Sequence, residues 1–182
     1  MRFIVLLFCI TSFSCRDIRS VDCSTQIDSV EVSNGFVDTL RSYLGTREET
    51  GNNDGQNVER FLNATCQLDN AAWCAAYLSY CLQVNGHQTP NAPCWTPSFF
   101  VDARTIWKSG QERTFEPGDI FGIYFKSKGI VSHVGAVVED FGDGWILSIE
   151  GNTNSAGSRE GDGVYMRLRN KNQIYVVSDW QD

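Results

Sequence analysis

Four residues have the types and the chain order for nucleophilic chemistry: Cys74, His133, Glu150 and Asn152. Cys74 lies in AAWCAAYLSYC, Ala71 to Cys81, whose apolar spacing is that of a buried helix with the cysteine near its start. At a helix start, free backbone N–H groups and the positive end of the helix dipole favour thiolate over thiol. Such a nucleophile needs a partner to take and return its proton, and histidine is the usual one. His87 follows Gly86 in a polar loop and reads as a solvated residue, whereas His133 opens the strand pattern SHVGAVV. In ILSIEGNTN, Glu150 and Asn152 fall on one face of the next strand, because side chains alternate with period two. An acceptor beside the second imidazole nitrogen fixes tautomer and ring orientation, the third role in a Cys-His-X site. Taken singly, each residue has a plainer reading. Cys74 can be a packing residue or half of a disulfide, and Glu150 and Asn152 can be strand-end residues facing water.

Residue parity tests the grouping. The strands of His133 and Glu150 are joined by FGDG, Phe141 to Gly144. A two-residue turn centred on Gly142-Asp143 sets His133 opposite Asn152, and one centred on Asp143-Gly144 sets Gly135 opposite Asn152. Both registers pair odd residues with even ones, so His133, Glu150 and Asn152 share a face. Gly135, lacking a side chain, leaves room for Glu150 or Asn152 to reach the imidazole. A three-residue loop reverses the parity and sends the two acceptors to the other face.

The elements that must hold these residues follow from periodicity. From Val30 onward the period is helical, with Phe36, Leu40, Tyr43 and Leu44 on one stripe. GTREETGNNDG (45–55) is a loop, and Val58, Phe61, Leu62 and Thr65 mark a second helix. Cys74, Tyr77, Leu78, Cys81 and Leu82 stripe the third, with Gly86 as its C-terminal stop. A fourth helical piece is expected around Ser98–Trp107. Strand patterns occupy 118–125, 132–140, 144–151, 163–169 and 174–180. Helices first and an antiparallel sheet after them is an α+β layout.

The 182 residues suffice for one domain with a real core, and 42% hydrophobic content is ordinary for a globular chain. The formal net charge of −7 argues against nucleic acid or an anionic membrane as an electrostatic partner. Arg2 and the apolar run FIVLLFCITSF read as a signal peptide over 1–14, too short to span a bilayer comfortably. SFSC then offers a cut before Cys15, either by ordinary signal peptidase or as a lipoprotein signal with Cys15 lipidated. The departure from the usual lipobox is Ser12 where leucine is common. Residues 15–27 read as a tether and 28–182 as one catalytic domain. An exported chain, periplasmic or membrane-anchored, meets oxidising conditions. The five cysteines of the body, Cys23, Cys66, Cys74, Cys81 and Cys94, are an odd number that hints at one free thiol. No CxxC occurs and histidines number only two, so neither a metal nor another cofactor is expected.

The ordered set GNNDG, WCAAYLSYCL, PGDI, SHVGAVVE and IEGNTN resembles the CHAP family, the cysteine- and histidine-dependent amidohydrolases/peptidases of the papain-like cell-wall hydrolases. The resemblance covers roughly residues 35–170. It implies a papain-like α+β fold with Cys74 as nucleophile, His133 as base, Glu150 orienting His133, and Asn152 assisting the imidazole or the oxyanion. It also implies peptidoglycan as substrate, cut at the muramoyl-L-alanine amide or at a stem-peptide bond. Many members carry a polar residue, often Gln, before the cysteine; here Trp73 stands there, which leaves only the Cys74 backbone N–H for an oxyanion hole. Trp73, Trp95 and Trp107 are candidate walls of the substrate cleft, with core packing as the plainer reading of each. Two rivals remain. One is a CHAP-like module that binds wall glycan or peptide without cutting it. The other is a disulfide-bonded structural protein in which Cys74 is oxidised.

Overall fold

The computed structural model of the chain describes residues 34–155 and 161–181. The expected signal peptide, the tether, and Cys9, Cys15 and Cys23 lie outside the described residues. Three helices come first: α1 (Gly35–Ser42), α2 (Gln56–Thr65) and α3 (Cys74–Val84). Asn34 caps α1 by accepting the Val37 N–H, as a short polar side chain before an apolar stripe should. Six strands follow, β1 (Thr105–Lys108), β2 (Ile120–Phe125), β3 (Ile130–Asp140), β4 (Trp145–Thr153), β5 (Gly163–Asn170) and β6 (Val176–Ser178). They form one sheet in the order β1-β6-β2-β3-β4-β5 with every neighbouring pair antiparallel. This is the α+β, papain-like layout.

The fourth helical piece is not there. Thr96–Phe99 makes one 3₁₀ turn, and Thr105–Lys108 pairs as an edge strand with β6. The chain in between is local enough to mimic a helix by composition, but its partner lies some seventy residues away, a distance no short-range pattern reports.

One core packs α1, α2 and α3 against the sheet around Phe36, Phe61, Trp73, Tyr77 and Leu78. A second cluster covers other strand residues with Trp107, Phe115, Phe121, Val137 and Ile146. Gly151 of β4 is a point of contact between the layers. A Cβ there would lie 2.7 Å from the Tyr77 ring and 2.8 Å from the Trp73 ring, so the missing side chain lets α3 approach the strand.

The β3–β4 connection corrects the expected turn. Phe141 N–H donates to Trp145 O, and Asp140 pairs with Ile146, so the loop is Gly142–Gly144, three residues rather than two. Gly142 and Gly144 both take positive φ, which only glycine adopts without strain. Such a loop pairs even residues with even ones. Further along, Val137 pairs with Ser148 and Ala136 with Ile149, the opposite parity, because Val138 is an extra residue in a β-bulge. The bulge undoes the one-residue offset of the loop. Beyond it the strands run in the register that a Gly142-Asp143 turn would have set.

Candidate active site

That register brings His133 to Glu150. The Nε2–H of His133 donates to Glu150 Oε2 at 2.7 Å, and both side chains are buried. Gly135 makes the room: a Cβ there would sit 2.6 Å from Glu150 Cγ. With Nε2 engaged, Nδ1 is the nitrogen left for the hydrogen bond between His133 and Cys74. Cys74, at the first position of α3, is a free thiol, 4% exposed at the floor of a cleft. No side chain caps that helix start, so its first backbone N–H groups face the thiol's surroundings without a side-chain competitor.

Burial alone would push the His133 pKa down. The hydrogen bonds that the ring makes to Cys74 and Glu150, with the charge of Glu150, outweigh burial and raise it to about 9. Glu150 is buried too, which favours its neutral form. Arg169 reverses this, donating from Nε to Oε1 at 2.7 Å and from Nη2 to Oε2 at 2.6 Å. Ser148 adds an O–H donor to Oε1 at 2.8 Å. Against the burial, Arg169 and His133 hold the carboxyl at about 2, so it stays ionised. Arg169 had read only as a strand residue of GVYMRLR; its parity matches the buried face of β5, the one signal that could have marked it.

Asn152, expected to assist the imidazole or the oxyanion, lies in the cleft that Cys74 lines. It takes a left-handed φ of 52° where the β4–β5 register shifts, and its Nδ2 donates to Asn53 Oδ1 at 2.8 Å and Glu48 Oε1 at 3.3 Å. It therefore lines the Cys74 cleft. Glu48, unread in the sequence because it lies in a polar loop, is a junction there. It also accepts from Trp73 Nε1 at 2.8 Å and from the Asn53 backbone at 3.0 Å.

The three tryptophans are not the walls of this cleft. Trp73 is fully buried against Phe61 and Tyr77 and donates its N–H to Glu48 at the site. Trp107 packs edge-on against Phe115 in the second cluster. Trp95 is 56% exposed but is not among the residues lining the cleft. The cleft, about 650 Å³, is instead polar, with Glu48, Asn53, Asn70, Lys128, Ser132 and Asp162 among its walls. Cys66 and Cys94 are disulfide-bonded, whereas Cys74 and Cys81 are not. His87 donates its backbone N–H to Leu82 O beyond the end of α3 and packs on Phe36, away from Cys74.

The papain-like α+β fold thus carries a cysteine, a histidine and a carboxylate linked in series. The family model described as CHAP domain matches residues 67–152, the segment that carries Cys74, His133, Glu150 and Asn152. A CHAP domain points to a hydrolase of the amidase type acting on peptidoglycan. Neither the curated proteins nor the solved structures contain a match to the chain.

Proposed function

We propose that this chain is a cysteine amidohydrolase or peptidase that cuts one amide bond of peptidoglycan, either the muramoyl-L-alanine amide or a bond of the stem peptide. The observation that carries the reading is the chain of contacts Cys74–His133–Glu150, closed by Arg169. His133 Nδ1 takes the thiol proton and Cys74 Sγ attacks the carbonyl carbon. The oxyanion that forms lies against the Cys74 backbone N–H at the uncapped start of α3. His133 then gives its proton to the departing amine, and water, deprotonated by the same imidazole, hydrolyses the thioester. Glu150, held ionised, keeps Nε2 protonated and Nδ1 aimed at sulfur through the cycle. Asn152 and Glu48 shape the cleft rather than orient the imidazole.

The reading includes export, with the chain cut before Cys15 and either released or anchored by lipid at Cys15. The free thiol of Cys74 beside a bonded Cys66–Cys94 pair disfavours the structural-disulfide rival. The non-cutting module is separated by assay. Mass analysis of muropeptides after incubation with the purified protein should show new amino termini or free lactyl groups, absent with Cys74→Ser. Unchanged muropeptides with wild type would leave the binding module as the better reading.

A further inference from the structure

The Cys74–His133 contact stands between two cavities. The cleft described above is lined by Cys74. A second, of about 370 Å³, is lined by His133 and not by Cys74. Its walls include Tyr124, Phe125, Asn172 and Gln173, and Arg169 lines it as well. Arg169 is 7% exposed, and its Nε and Nη2 are spent on Glu150. Among the described residues Nη1 has no protein partner, yet no buried side-chain nitrogen or oxygen is left unsatisfied. Nη1 therefore reaches open space, and the open space beside Arg169 is this cavity. A guanidinium whose inner edge is clamped by one carboxylate offers its outer edge, two N–H donors in a fixed fork, to another.

Glu150 occupies only the inner edge of the Arg169 guanidinium, in a chain of net charge −7. Tyr124, stacked on Tyr175, and Phe125 give the cavity an apolar flank, and Asn172 and Gln173 supply neutral amides at the rim. A bare anion would use only the fork. A carboxylate on a small apolar body would use the fork and the aromatic flank together.

We propose that this cavity is a second substrate subsite that holds a peptide carboxylate on the outer edge of Arg169, so that the bound chain runs from the Cys74 cleft past His133. The assignment rests on the hydrolase reading above. It makes Arg169 a residue with two faces: one positions Glu150, the other binds substrate.

Binding to the inactive, full-length Cys74→Ala variant tests the subsite without requiring turnover. Isotope-labelled protein is titrated with N-acetylalanine, with N-acetylalanine amide and with acetate, following backbone amide resonances. N-acetylalanine should shift Phe125, Asn172 and Gln173 and bind at least tenfold tighter than the other two. Asn172→Asp, at an exposed rim position, sets a negative charge at the mouth and should weaken N-acetylalanine at least tenfold. Equal binding of the amide would remove the carboxylate from the proposal, and equal binding of acetate would reduce the cavity to a simple anion site; either overturns it. Shifts confined to Lys128, Ser132 and Asn152 would overturn it too. Failure of the hydrolase reading appears elsewhere, as unchanged muropeptides with wild-type protein.

Discussion

Arg169 and Glu150 meet through two parallel hydrogen bonds, 2.7 and 2.6 Å long, on the carboxylate that also receives His133. The pair is buried, and a buried carboxylate that loses its cation is left uncompensated. Arg169→Met should therefore destabilise the fold by about 3–5 kcal/mol. Arg169→Lys, which keeps the charge and loses the fork, should destabilise less and still lower kcat. Urea unfolding of the two variants checks the order; equal stabilities would show that charge alone, not the fork, holds Glu150.

Cys74 and Cys81 are both free thiols in one helix, but they differ in access. Burial pushes the Cys81 pKa well up, and it lies fully inside the core, while Cys74 lines the cleft. Iodoacetamide at neutral pH should modify Cys74 first and abolish hydrolysis in step. Cys74→Ser should fold normally and lose at least a thousandfold in rate, a loss of about 4 kcal/mol of transition-state stabilisation. Peptide mapping that finds Cys81 labelled first would contradict the assignment.

The His133–Glu150 pair also sets a pH window for stability. His133 rises from 6.5 to about 9 on folding, so its contribution is complete below about pH 6.5 and is lost as pH climbs through 9. Glu150 falls from 4.5 to about 2, so its contribution is complete above about pH 4.5 and is lost as pH drops through 2. The urea midpoint should be flat between about pH 4.5 and 6.5 and decline on both sides. Glu150→Gln should remove most of both slopes. The alkaline fall of activity should track the same imidazole near pH 9, since the departing amine needs its proton.

Val138 allows a test of register. As the bulged residue it has no partner on β4, while Val137–Ser148 and Glu139–Leu147 pair on either side. Deleting Val138 should leave those pairs in place and keep His133 opposite the same strand face. We expect a folded, active protein, weakened by roughly 1.5–3 kcal/mol for the lost buried valine. A folded but inactive deletion variant would show that the bulge aims His133 and does more than restore parity.

How far the sequence reaches is clear from these same residues. Cys74, His133 and Glu150 stood out because each role needs a particular residue type at a particular phase of a helix or strand. The three helices and five of the strands showed their periods over short windows. β1 did not, since a four-residue edge strand is defined by its partner β6. The site face was read correctly through a turn that is not present: the loop added a residue and the bulge absorbed one. Arg169 and Glu48 were missed because their meaning lies in contacts, with β4 and with Trp73, and not in their neighbours along the chain. The tryptophans misled because a large aromatic can line a cleft or fill a core, and only burial distinguishes the two.

The Cys66–Cys94 bond closes a ring that contains both Cys74 and Cys81. Four thiols close together in the chain can be joined in three complete ways, and only a molecule that leaves the nucleophile unpaired can work. A chain oxidised before α3 docks is open to attack by Cys74 on a bond forming beside it. Once folded, Cys81 is sealed in the core and the Cys74 thiol is occupied by His133. For the exported chain proposed above, the yield of working molecules is then a race between docking of one helix and random oxidation, one that a disulfide isomerase would decide in favour of the helix.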